Sequence, residues 1–590
     1  MVRFASTIFA IAMLLVTPPA GAALYRIGTG AGCTHATIQA AVNAAAASVE
    51  ADELRISQTQ NYTQQNILID QAMGVMELAG GFATCQSNAP TTGARTQLNG
   101  GGSLPVIRIN NTATVRLYDL DIQGGSTTSS GGGVYVTGSN NAVLVLSDTL
   151  VRSNRAFSGG GIALLNTDPD SGNGAMQLLM FGRSAVLSNS AEVGGGIHCS
   201  GGRVMMFDQS HVSYNSALEH GGGIFADNCS LVIGSTGVNG AVVLSNNAGG
   251  HGGGLYLGGT GSIGDMYTVD PLVPAGIVGN SALRGGGVAV ANGAQLYMYN
   301  ANIELNNASA GGGGALLAGA AGAGSNSVLY MTNMMEGGPA AAVTCADPEA
   351  CNLVRGNRAI DDGDGERAPG AAVIVDAPSA YSAHAIFRGT RIESNLGTSL
   401  SRHIGNFGQV SFNGALIVRN DVSGVLLDAP GTANSLVLLA STVASNLMGT
   451  GRGVLKGAGG CDPNDDVRGS YVWRSIVWQP SHPLIEAAST PVPGCFRYLI
   501  GNDFAGLPAA ADRVVINPLF RDINSADFRL SLGSSAIDFA PAETANVTRD
   551  GGPRVFDFDV EANLFGEQDL GAYEYALDRI FSDGFEDGNQ

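Results

Sequence analysis

Apolar residues along this chain come in short alternating runs rather than at helical spacing. The pattern is clearest between Gly194 and His220. There "GGGIHCS" reads as one strand, "GRVMMFDQ" as a second and "HVSYNSA" as a third, each bounded by Gly, Ser or Asn. The unit then begins again. Triple glycines open at Gly131, Gly159, Gly194, Gly221, Gly252, Gly285 and Gly312, with gaps of 28, 35, 27, 31, 33 and 27 residues. An apolar triplet follows each: VYV, IAL, IHC, IFA, LYL, VAV and ALL. An Asn-x-Ala begins at Asn154, Asn189, Asn215, Asn246, Asn280 and Asn306, shortly ahead of the next glycines. A degenerate copy starts at Asn357, and the β-branched-x-x-Asn phrase continues at Asn395, Asn420 and Asn446.

Three short strands and three turns in a 27–35-residue unit predict one coil of a right-handed parallel β-helix, an all-β fold. Coils stack about 4.8 Å apart, so ten or more make a shaft of roughly 50 Å. Glycine suits the corners twice over. It accepts backbone angles closed to other residues, and it lets adjacent coils approach without a side chain between them. Asparagines recurring in phase are expected to stack into a ladder of amide hydrogen bonds. The other architecture with such periods, a β-propeller, needs about 40–45 residues per four-stranded blade and fits less well.

The "GGGI" elements at Gly194 and Gly221 and "LSNNA" at Leu244 resemble the repeats of polymorphic outer-membrane proteins and, more broadly, the pectate-lyase-like β-helix families. The resemblance covers residues 131–360 and speaks to fold. "CTHATIQAAVNAAAA", Cys33 to Ala47, looks like the helix that caps the first coil of such proteins, with Ile38, Ala41, Val42 and Ala45 on one face. A cap is physically required, because an open first coil exposes a hydrophobic end and an unpaired edge. "NPLFRDINSADFRLSLGSSAIDFAP", Asn517 to Pro541, and "DLGAYEY", Asp569 to Tyr575, look like the closing segment of secreted bacterial β-helix proteins. The organisation expected is a signal peptide at 1–22, a cap and first coils at 23–100, repeats at 101–460, last coils and closing segment at 461–576, and an acidic tail at 577–590.

Composition narrows the partners. The chain holds 86 glycines in 590 residues, 13% charged residues and a net charge of −20. Lys456 is its one lysine. Such a surface repels phosphate backbones, so no nucleic-acid partner is expected, and an anionic polysaccharide would need a local basic cleft. Arg3, the apolar run Ile8 to Val16 and Ala20-Gly21-Ala22 read as a secretory signal. The run is too short for a membrane anchor, and no transmembrane segment is expected later. Nor do the last residues show the amphipathic strands of an autotransporter barrel. An exported protein follows, monomeric, secreted or held at the cell surface or outer membrane of a Gram-negative-type bacterium, with the periplasm as another destination. Eight cysteines then suggest disulfides. Neighbour pairing gives Cys33–Cys85, Cys199–Cys229, Cys345–Cys351 and Cys461–Cys495, one of 105 connectivities.

Chemistry is sparse. If the first apolar residue after each triple glycine points inward, the next points outward. That outward row is Tyr135, Ala163, His198, Phe225, Tyr256, Ala289 and Leu316, with no acid in it. Tyr135, His198, Phe225 and Tyr256 form a candidate ligand-facing stripe for a glycan or protein, although a covering loop would also explain it. His220 and His251 directly precede glycines and read as corner residues. Acid clusters at Asp361–Glu366, Cys461–Asp466 and Asp557–Glu561 invite a Ca²⁺ reading but lack calcium-loop spacing, so they read as solvated loops or turn caps and no cofactor is assigned. No GxSxG, Walker or HExxH motif occurs. The expected function is therefore a non-enzymatic β-helix acting in adhesion or extracellular interaction, without catalytic or metal residues. The alternative is a polysaccharide lyase or glycoside hydrolase of pectate-lyase-like fold.

Overall fold

The computed structural model describes residues 23–574, apart from 71–73, 111–113, 139–141, 168–175, 236–239, 269–273, 320–325, 334–349, 362, 378–382, 406, 431–433, 458–469, 487–494 and 542–563. The signal segment and the whole acidic tail lie outside the described residues, as do Cys345, Cys461–Asp466 and Asp557–Glu561.

The chain is a right-handed parallel β-helix. From Ile197 it runs through strands Ile197–Ser200, Gly202–Met206 and His211–Ser213, as the alternation predicted. A further two-residue strand, Ser216–Ala217, precedes the next glycine corner and the next coil at Ile224–Asp227. Each residue pairs in parallel with its counterpart one coil on: Ile197 with Ile224, Val204 with Leu231, Val212 with Val243. Among the described residues this stacking makes three long sheets. Strands following the glycines form a 13-stranded sheet, the glycine sheet, from Ile67–Asp70 to Leu455–Gly457. The other two strands of each coil merge into a 29-stranded sheet, and the two-residue strands form an eight-stranded one. Alternate side chains fill the interior, as in the fully buried column Leu178, Val204 and Leu231.

Both expected reasons for glycine hold, at different positions of the triplet. Gly194 has φ +62°, in the left-handed region. A Cβ on Gly195 would lie 2.4 Å from the Ser216 carbonyl oxygen and 2.5 Å from that of Gly222, so coil contact excludes a side chain there. The asparagine ladder is continuous. Each Nδ2 donates to the next Oδ1, from Asn154 through Asn189, Asn215, Asn246, Asn280, Asn306, Asn357, Asn395, Asn420 and Asn446, at 2.9–3.1 Å. Gln479 ends it, accepting from Asn446. Alternation did not reveal a second column beside it. The residue before each ladder asparagine is left-handed, even when it is Tyr214 (φ 55°), Leu305 (57°) or Arg419 (54°). One such residue per coil turns the chain sharply enough to aim the asparagine inward.

The cap is a helix, Ile38–Ala45, whose N-cap Thr37 accepts from the Ala40 amide at 3.3 Å. It buries Ile38, Ala41, Val42 and Ala45, the face read from the sequence. Cys33–Cys85 and Cys199–Cys229 are disulfides. Cys351 and Cys495 are also disulfide-bonded, but the partners expected for them lie outside the described residues. The closing segment does more than end the last coil. Phe520, Phe528, Ile537, Phe539 and Leu570 fold back onto the outside of the shaft, against Leu416, Val418, Ala444 and Ile476. Gly571 donates to the Arg474 carbonyl (3.1 Å) and Ala572 to Thr442 Oγ1 (3.0 Å), which pins the segment there.

Candidate functional site

The outward row of the glycine sheet follows from register alone. Residue by residue it runs Leu68, Arg108, Tyr135, Ala163, His198, Phe225, Tyr256, Ala289, Leu316, Ile374, Arg402, Asp428 and Lys456. The structure brings three members of the expected stripe together. His198 meets Phe225 edge-on at 5.1 Å between ring centroids, and Phe225 stacks on Tyr256 at 4.9 Å, 3° from parallel. Tyr135 stands apart, separated from His198 by Ala163, with the Arg108 guanidinium 5.7 Å from its ring centroid.

Two corner histidines join the cluster. His220 stacks on Tyr256 at 5.1 Å and on His251 at 5.0 Å. They are therefore aromatic partners of the stripe as well as corner residues. The His251 amide donates to His220 Nδ1 at 3.0 Å, which makes that nitrogen an acceptor and the ring neutral. Burial lowers the pKa of His220 and, chiefly, of His251, where His220 and Arg284 add to the effect. Burial alone pushes His198 down to about 4. Tyr256 is raised by burial and then by Asp227. At neutral pH the patch is an uncharged block of rings.

The rings present edges more than faces. Coil stacking places Phe225, Tyr256, His220 and His251 face to face, so most ring faces are already covered by a neighbour. Beyond Tyr256 the row is buried. Ala289, Leu316 and Ile374 point outward yet are at most 3% exposed, packed with Tyr256 and Ile404. Arg284 at one corner reaches Asp376, two coils on at the far end of its strand, at 3.7 Å. This stretch is buried by its own neighbours on the face.

The sequence reading stopped at Leu316, where the triple glycines stop. Register carries the row into different chemistry: Arg402, Asp428 and Lys456. Arg402 Nη1 pairs with Asp428 Oδ2. The seven residues read from the sequence hold no acid; the part of the row that register adds brings one, Asp428. The signal available from sequence was the x-x-Asn phrase, whose Asn395, Asn420 and Asn446 mark the coils that carry these residues.

The acid clusters behave as loops where they are described. Asp361 Oδ1 accepts from the Gly363 amide (2.9 Å) and Asp364 Oδ1 from that of Glu366 (2.8 Å). No group of three or more His, Cys, Asp or Glu poised to hold a metal occurs among the described residues. Among them, no helix is long and apolar enough to cross a membrane.

The architecture defines a right-handed parallel β-helix protein. Comparison with known families finds no matching family model, and comparison with curated proteins finds no match.

Proposed function

We propose that this is an exported, non-enzymatic β-helix that acts in adhesion or extracellular interaction, holding a glycan or protein partner against its glycine sheet. The observation that carries the reading is the uncharged aromatic block His198–Phe225–Tyr256–His220–His251 on an outward face, where the lowered histidine pKa values remove charge. Aromatic side chains are enriched at recognition surfaces, and all five rings are partly exposed on this face. Edge presentation suits a protein segment better than a sugar ring, which stacks on a face. The disulfides suit an oxidising compartment outside the cytoplasm. The resemblance to polymorphic outer-membrane repeats points the same way.

The test is replacement of Tyr135, Phe225 and Tyr256 together by Ser, followed by binding to cells and to a glycan and protein array. Loss of binding with retained thermal stability is expected; unchanged binding removes the proposal. A polysaccharide-active enzyme remains the second reading, favoured by one observation, the Arg402–Asp428–Lys456 row. Release of unsaturated or reducing sugar ends from a polysaccharide panel, with and without Ca²⁺, would establish it.

A further inference from the structure

We infer that the last coils carry a second binding site, for a sugar acid: a ligand that bears a carboxylate beside hydroxyl donors. This goes beyond the adhesion reading, since it names another site and the ligand class that fits it. A cavity of about 560 Å³ opens on the glycine sheet, lined by Arg402, Asp428 and Lys456 together with Arg452, Thr398 and Ser399. Three cations converge here in a chain of net charge −20, one of them its only lysine.

The pairing inside the cavity says what is left over. Arg402 is engaged by Asp428, and Arg452 Nη1 by Glu486 Oε1 at 3.2 Å. Lys456 has no ion-pair partner among the described residues and is half-buried. With Glu486 counted, three positive charges face two negative ones, so one positive charge is uncompensated. A low-dielectric concavity focuses that field, which favours an anion.

The second requirement comes from Asp428. Its residue is 8% exposed, its Oδ2 is spent on Arg402, and its Oδ1 is buried without a hydrogen-bond partner. A buried carboxylate oxygen left alone is costly and calls for a donor. An inorganic anion brings none. A sugar acid brings both parts: a carboxylate for Lys456 and Arg452, and hydroxyls for Asp428 Oδ1, with Thr398 and Ser399 also in the lining. The rest of the lining, Pro369, Ile404 and Val425, offers apolar surface for a sugar ring face.

The full-length protein titrated calorimetrically with a glucuronate oligosaccharide is expected to bind, and the neutral glucose oligosaccharide of equal length to bind at least tenfold more weakly. Lys456→Gln with Arg452→Gln should cost about tenfold, a loss of ~1.4 kcal/mol. Added salt should weaken binding of the acid and leave the neutral sugar alone. Asp428→Asn, checked for an unchanged melting profile, removes the charged acceptor for the hydroxyls and releases Arg402, so it should tighten phosphate binding, steepen the salt dependence and narrow the preference for the oligosaccharide over phosphate. Equal affinity for acid and neutral sugars, or no binding of either, overturns the proposal. Phosphate binding as tightly as the oligosaccharide overturns the assignment to a sugar acid. The aromatic triple variant should bind glucuronate as the wild type does. Loss of groove binding with cell binding intact would therefore sink this site alone.

Discussion

Asn246 sits mid-ladder and is 1% exposed. Its Oδ1 accepts from the Asn215 backbone amide (2.9 Å) and from Asn215 Nδ2 (3.0 Å). Its Nδ2 donates to the Val212 carbonyl and to Asn280 Oδ1, both at 3.0 Å. Asn246→Ala removes all four bonds. Asn280 Oδ1 keeps the Asn246 amide at 2.8 Å, so it is not orphaned. Asn215 loses the partner of its backbone N–H and one of its two amide partners, keeping the Val186 carbonyl. Two buried donors are left bare at about 1–3 kcal/mol each, so the variant should lose roughly 2–6 kcal/mol. The assay is urea unfolding followed by circular dichroism, with hydrogen exchange read by mass spectrometry. Exchange should accelerate in the coils around Asn215 and Asn280 before the rest of the shaft, because each coil contacts only its neighbours. The exposed helix residue Asn43, changed to Ala, is the control. If Asn246→Ala costs no more than Asn43→Ala, the ladder stabilises nothing and its regularity is only a consequence of register.

Gly253→Ala should abolish soluble expression or unfold the local coils, since its Cβ would lie 2.3 Å from the Ser281 carbonyl oxygen; solubility and melting temperature decide. Tyr214→Gly should stabilise by about 0.5–1 kcal/mol, because glycine accepts the left-handed angle of an exposed site without the side-chain penalty; a fall in the urea midpoint would refute this. Acid should destabilise through His198 and His403, both pushed down to about 4 chiefly by burial. Above the ordinary histidine value of ~6.5 neither state binds the proton; between there and about 4 only the unfolded chain does, so stability is full at neutral pH and falls by about 3 kcal/mol per group. His403→Leu, whose neighbour in register is the core residue Val375, should flatten that slope in urea midpoints measured from pH 7 to 4.5. Cys199→Ser with Cys229→Ser opens a 30-residue loop and should cost about 3–4 kcal/mol, seen as a lower melting temperature.

Local chemistry was written plainly in the chain. Alternation located the strands Ile197–Ser200, Gly202–Met206 and His211–Ser213, glycine triplets marked corners, and asparagines in phase marked a buried column. Those features recur because every coil meets the same constraint, so the repeat is visible without coordinates. Two of the pairs expected from pairing cysteines that neighbour each other in sequence form, Cys33–Cys85 and Cys199–Cys229. What the sequence left open depended on which residue of one coil stands over which residue of another. The insert between Asn306 and Asn357 breaks the visible spacing, and only strand register shows that Leu316 is followed by Ile374 and then by Arg402, Asp428 and Lys456. Likewise nothing local distinguishes Tyr135, isolated by Ala163, from Phe225 and Tyr256, whose rings touch because their coils are adjacent. Nor does alternation reveal that Phe520 and Phe528 pack on the outside of the shaft against Leu416 and Val418. Periodicity determines how one coil is built, since it acts over a few bonds. Stacking and fold-back decide which side chains meet, because they join residues distant in the chain, and the cleft in an acidic protein exists only through that meeting.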